Sequence, residues 1–236
     1  MSEPFVRVGS LRCSWRRKPI RNFHVYVRPP DGRVDASLPL DLPLDVLRSF
    51  LLANKDKIEA KRREIRERLR QTPRRFVSGE SHYLWGVRYT LSVKDAPQWR
   101  FRTSGRRLFL ERPASATPEQ CAARFDTLCR VQLRDRVEER LPVLCRRMGV
   151  DPAPRWLCQK MSTRWGSCSP ERRLVRINSV LARKPPECLD FVLVHELCHL
   201  FERHHTPRFY ALLDRFMPDW SPIRKRLNDF ILDPDL

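Results

Sequence analysis

The sequence has no C-x-x-C pair among its eight cysteines, no run of eighteen apolar residues and no G-x-x-x-x-G-K-[ST] loop. Without closely paired thiols, neither a zinc knuckle nor a dithiol redox motif is expected. The cysteines read instead as small buried hydrophobes in a reducing compartment. The missing apolar run excludes a membrane-spanning helix, and the opening MSEPFVRVGSLRCSWRRK has no signal-peptide core. A cytoplasmic protein with no membrane partner is therefore expected. Acidic residues are also scarce, since 28 Asp and Glu face 47 Lys and Arg, for a formal charge of +19. Such an excess attracts polyanions, so nucleic acid, a nucleotide or an acidic partner is expected at the basic surface. No motif that reads RNA or DNA accompanies the charge to choose among them. No repeat or low-complexity tract is visible, and nothing in the pattern specifies an oligomer.

A chain of 236 residues can bury a substantial core without a disulfide, as one large domain or two small ones. The pattern predicts an α+β protein in two parts. Residues 1–115 read as a β-rich region around one long helix. Asn22 to Arg28 and Arg33 to Leu38 flank a P-P-D-G turn, Val87 to Val93 alternate as a half-buried strand, and WRFRT and RRLFLE form a hairpin across Ser104 and Gly105. Between them Leu47, Leu51, Asn54, Ile58, Ile65 and Leu69 recur at helical spacing, predicting one helix from about Leu44 to Arg70. The second part, residues 116–236, opens with T-P-E-Q, an N-cap with proline at N1 and glutamine at N3. Its helix runs to Gly149 with Pro142 as a candidate kink, and is followed by the strand LVRINS and a helix opening near Pro186.

The chemistry sits in FVLVHELCHLF, Phe191 to Phe201. At 100° per residue His195 and His199 stand one turn apart on one face, so both imidazoles reach a single ion at ~2.0–2.1 Å. Glu196 lies on the rim of that face, placed to act on a water without being a ligand. With only six histidines in the chain, a chance H-E-x-x-H is expected on the order of 0.01 times. The neighbouring residues are apolar around nearly the whole circumference, as in a buried helix. Titratable groups there need a partner, and a divalent ion supplies one. A catalytic zinc takes three protein ligands and keeps an open position. Beyond the helix, Thr206 and Pro207 cap a new helix and leave His205 at the bend. The spacing H-E-x-x-H-x-x-x-x-x-H favours His205 as the third ligand. His204 is the competing imidazole, and Glu202 a rival ligand or a hydrogen-bond partner of one.

Several segments together resemble the YgjP-like metal-dependent hydrolases, relatives of the SprT-like and WLM metallopeptidases. They are RWGSC at Arg164 to Cys168, RINS ending in Asn178 and Ser179, PPECLDFVLVHELCHL at Pro185 to Leu200, HHTPRFY at His204 to Tyr210 and MPDW at Met217 to Trp220. A looser match extends through RRFVSGESHYLWGVRYTL. The family's segment usually ends N-H-S, where this chain has His204-His205-Thr206, which puts His205 in the ligand position. The resemblance implies a compact zincin-like catalytic half, with RWGSC and RINS as strands beside the active-site helix. An exposed strand edge there could hold an extended peptide by main-chain pairing.

These readings make a zinc metallopeptidase the leading expectation. Zn2+ is held by His195, His199 and His205 and activates water, Glu196 accepts the proton and returns it to the leaving amine, and Arg164 or Tyr210 assists at the oxyanion. Two other functions use the same residues. A nucleoside triphosphate pyrophosphatase would clamp phosphates with Arg164, Arg183, Lys184, Arg203 and Arg208. A basic nucleic-acid-binding module would keep the metal as structure only, although such sites are usually closed and rich in cysteine.

Overall fold

The computed structural model describes residues 4–28, 31–67, 74–161 and 164–229. The fold is α+β, with eleven strands and six helices among these residues. They divide into two compact units, one within Met1–Gln71 and one within Thr72–Phe230.

In the first unit, β1 (Phe5–Val8), β2 (Leu11–Arg17), β3 (His24–Arg28) and β4 (Arg33–Leu38) form a sheet in the order β1-β2-β4-β3. Only the β3–β4 hairpin was legible in the sequence. Period-two alternation sends Val6, Leu11, Cys13, Val34, Ala36 and Leu38 inward against Leu47, Leu51 and Ile58. The last three lie on two helices, α1 (Leu44–Ala53) and α2 (Lys55–Glu67), rather than on the single expected one. The break is Asn54, whose backbone N–H and side-chain Nδ2 both donate to the Phe50 carbonyl, at 3.0 and 2.9 Å. Its side chain competes with the helical ladder, as Asn commonly does. The expected end of the helix at Leu69 and Arg70 lies outside the described residues.

The second unit begins with β5 (Ser81–Leu84), β6 (Val87–Asp95), β7 (Arg100–Ser104) and β8 (Arg107–Arg112), ordered β5-β6-β8-β7. This is the arrangement of the first sheet again: two antiparallel hairpins joined through parallel inner strands. The repeat is one of topology, and each corresponding turn carries a glycine at positive φ: Gly9 and Gly86 in the first hairpins, Gly32 and Gly105 in the second. Next come α3 (Pro118–Met148), β9 (Arg155–Gln159), β10 (Gly166–Ser169), β11 (Leu174–Asn178), α4 (Pro186–Cys198), α5 (Pro207–Phe216) and α6 (Trp220–Asp229). The capping box forms as the sequence predicts, Gly149 ends α3 in the left-handed region, and the helix runs unbroken through Pro142.

The compact units do not part where the pattern changes near residue 115. Leu84, Leu91, Leu108 and Leu110 of the second sheet share one core with Phe125, Leu133 and Leu141 of α3 and with α4. The β5–β6 turn also docks on the start of α4. Gly86, at φ +74, comes so close to Pro185 that an added Cβ would lie 2.8 Å from its Cγ, and Trp85 N–H donates to the Ala182 carbonyl at 2.7 Å. Arg140 of α3 holds Asp190 of α4 through two bonds of 2.9 Å, and Arg226 of α6 holds Glu187 at 2.8 Å. The bidentate pair fixes orientation as well as distance, so α4 is anchored from two sides. No described helix is long and apolar enough to cross a membrane.

Candidate metal centre

α4 forms because Pro186 opens it at N1 and apolar residues cover it, and Cys188, Leu189, Phe191, Val192, Leu193, Val194, Leu197 and Cys198 are all buried. His195 sits in its last turn and His199 is its C-cap. The chain then tightens, with the N–H of Leu200 and of Phe201 each bonded three residues back. Thr206 accepts the Phe209 N–H at 3.4 Å and starts α5, and the bend between the helices turns His205 back toward α4.

His195, His199 and His205 meet there, with one ring nitrogen from each inside a 4.8 Å cluster. Nε2 of His205 and Nε2 of His195 are 3.1 Å apart. Two imidazoles on one tetrahedral ion at about 2.0–2.1 Å would stand roughly 3.3 Å apart, so the spacing fits a bound ion. Nδ1 of His199 faces the Glu202 carbonyl at 3.2 Å, which puts the proton on Nδ1 and leaves the Nε2 lone pair for a metal. Nδ1 of His195 is buried, with no hydrogen-bond partner among the described residues. Burial, reinforced by the charges of His199, His205 and Arg224, pushes His195 down to about 3. Burial also lowers His199, against the bond from Glu202. Both rings are therefore neutral at pH 7, the form that coordinates. All three rings pack on Phe209, which is fully buried, at centroid distances of 4.9, 4.6 and 4.7 Å. Phe209 is a platform that sequence reasoning missed.

Glu196 lies beside this cluster, only 5% exposed, and burial pushes its carboxyl up to about 8 against the pull of Arg164. Its cover is β10, the edge strand of the three-stranded sheet β10-β11-β9. The two approach closely because the strand begins with glycine. A Cβ at Gly166 would lie 2.6 Å from Glu196 Oε1, 2.8 Å from Val192 Cγ1 and 2.9 Å from Glu196 Cγ. The glycine of RWGSC thus makes room for the carboxylate. Gly166→Ala is expected to cost about 1–3 kcal/mol, since the overpacked side chains must shift. Thermal unfolding of the variant checks the expected loss.

Asn178 of RINS has a structural task. It is buried, and its Nδ2 donates to the carbonyls of Met161 and Arg164 at 2.8 Å each while Oδ1 accepts the Val180 N–H at 3.2 Å. These bonds hold the approach to β10 and set Arg164 at the mouth of the site.

The cluster opens into a groove of about 890 Å³ walled by β10 on one side and by the His204–His205 turn and α6 on the other. His204 lines the groove but stands outside the three-imidazole cluster. The Glu202 carboxylate accepts the His204 N–H at 3.3 Å, so Glu202 meets the site through its main chain. Of the five basic residues expected to clamp phosphate, only Arg164 and Arg203 line the groove. Arg183 is paired with Asp126, Lys184 is buried beneath the Trp165 ring with its Nζ 5.5 Å from the centroid, and Arg203 is held by Glu171 at 2.9 Å. Tyr210 stacks on Trp220 at 5.7 Å, with its ring 6.3 Å from that of His205, and is not among the groove-lining residues. Met217 packs against the core.

A family model described as YgjP-like, metallopeptidase domain, matches residues 23–230. No curated protein matches the chain in sequence. Among solved structures, the metallopeptidase zymogen abylysin of Pyrococcus abyssi is similar at 18% identity and a TM-score of 0.37, over 39% of this chain and 90% of that one. The zymogen jannalysin of Methanocaldococcus jannaschii is similar at 15% identity and a TM-score of 0.36, over 39% of this chain and 93% of that one.

Proposed function

The chain belongs to the YgjP-like metallopeptidase family, and from that premise we propose that it is a zinc-dependent peptidase whose ion is held by His195, His199 and His205, with Glu196 as general base. The coarser statement, a metal-dependent hydrolase of peptides or proteins, follows from the family itself. The observation that carries the finer reading is the convergence of three imidazoles beside a buried carboxylate in an open groove. When bound, a divalent ion supplies Lewis acidity toward water and a peptide carbonyl, and its charge favours the ionised form of Glu196.

The residues of the chain do the rest. The Glu196 carboxylate accepts the proton of the attacking water and passes it to the departing amine nitrogen. The free edge of β10, from Gly166 to Ser169, offers backbone N–H and C=O groups along the groove, and an extended substrate segment can add to it as a further strand. Arg164, which lines the groove together with Arg203 and Arg224, is a cation available to a developing oxyanion. Six of the eight thiols are buried, in keeping with the reducing cytoplasm that we take as the setting.

The test sets chelated and zinc-reloaded protein against an unfolded protein substrate and against nucleoside triphosphates in parallel. Zinc-restored cleavage of the polypeptide with no release of pyrophosphate is the expected result. Pyrophosphate release without peptide cleavage would transfer the site to phosphoryl chemistry. Stoichiometric zinc with neither activity would make the metal structural.

A further inference from the structure

Part of the charge excess of the chain lies away from the groove, on one sheet face of the first unit. Alternation that buries Val6, Leu11, Cys13, Val34, Ala36 and Leu38 turns their neighbours outward. Arg7, Arg12 and Arg33 are among those neighbours, and the same alternation past Trp15 and Val27, which also pack on the core, adds Arg16 and Arg28 to the outward face. Asp35 is the only acidic residue in the four strands, and it pairs with Arg28 at 2.9 Å and Arg33 at 3.4 Å. The register sets Arg7 directly opposite Arg12, and Arg28 directly opposite Arg33. Asp35 bridges the second pair, but no acidic residue of the four strands stands beside Arg7 and Arg12, and like charges facing across a ladder destabilise it. A polyanion on the face would relieve the repulsion.

Two rings stand among these guanidinium groups. Phe5 is 47% exposed with the Arg12 guanidinium 4.0 Å from its centroid, and Tyr26 is 40% exposed with that of Arg28 at 4.9 Å. Phe5 lies on one edge strand and Tyr26 on the other. Three strand spacings of about 4.8 Å separate those edges by roughly 14 Å; Ser14 and Asp35 lie between the rings in the same cross-strand row, and Arg7, Arg12, Arg33 and Arg28 lie alongside it. Cations that follow a backbone, together with half-exposed rings that take bases, make a single-strand platform. An acidic protein would use the charge but would have no use for the rings, and a duplex keeps its bases stacked away from them.

We infer that the outer face of the β1-β2-β4-β3 sheet binds single-stranded nucleic acid. Half of it is built from residues 5–17, ahead of the residues matched by the peptidase family model. The activity is separate from peptide cleavage, and either can be present without the other.

The test measures fluorescence anisotropy of a labelled single-stranded 20-mer with the full chain over a range of salt. R7Q/R12Q is compared with R106Q/R107Q, which removes two equally exposed charges from the second unit, and with F5A/Y26A. The R7Q/R12Q change relieves a repulsion, so folding should survive it. Its affinity should fall about tenfold, and its salt slope should shrink by about 1.4, at ~0.7 per phosphate contact on a single strand. F5A/Y26A should weaken binding about thirtyfold or more, at ~1–3 kcal/mol per stacked base, with the slope unchanged. R106Q/R107Q should bind as the native chain does. The inference is overturned by an absence of binding at 50 mM salt, taken as a low-salt condition of about one-third physiological strength. It is equally overturned if both arginine pairs cost the same. Polyglutamate bound as tightly as the oligonucleotide, with F5A/Y26A silent, would assign the face to an acidic protein instead.

Discussion

Replacing Glu196 by glutamine is expected to lower peptide turnover by about 10²–10⁴-fold, the usual worth of a positioned acid or base, while zinc content and thermal unfolding stay as they were. Glutamine keeps the length and helix propensity of glutamate but cannot take a proton from water. The site makes this a clean substitution. Glu196 is buried beneath Gly166 and Val192, and burial already favours its uncharged form, so a neutral amide of the same shape fits the metal-free cavity. Loss of zinc from this variant would make Glu196 a ligand. Unchanged turnover would end its role as a base.

The second large effect concerns the imidazoles. Dialysed zinc content should fall from ~1 per chain to near zero in His195→Ala and in His199→Ala, and peptide cleavage should vanish with it, because a catalytic site has no ligand to spare. His205→Ala should behave the same way. His204→Ala should keep its zinc, since that ring stands outside the cluster although it is next in sequence. The reverse pattern in the last two variants would give the third position to His204.

The site helix was legible because its information is local. His195, Glu196 and His199 share a face by helical spacing alone, and Thr206-Pro207 announces both the next helix and the bend that returns His205. The capping box of α3 was readable for the same reason. What escaped was long-range. Gly166 reads as a turn residue until β10 is laid over Glu196, and Phe209 reads as ordinary core until three imidazoles pack on it. Lys184 and Arg183 lie close to the motif in sequence, but the fold spends one beneath Trp165 and the other on Asp126. β1 is only four residues long and β2 has three arginines among seven residues, so neither stands out as an alternating pattern, and the order of strands in each sheet is carried by pairing, which no local window contains.

Anomalous scattering at the zinc absorption edge, measured from crystals grown with the metal, tests the central claim most directly. The account predicts a single ion on the Nε2 atoms of His195, His199 and His205, facing the groove, with the Glu196 carboxylate near it but uncoordinated. An ion held by His204, or one closed off by a fourth protein ligand such as Glu196, would contradict it.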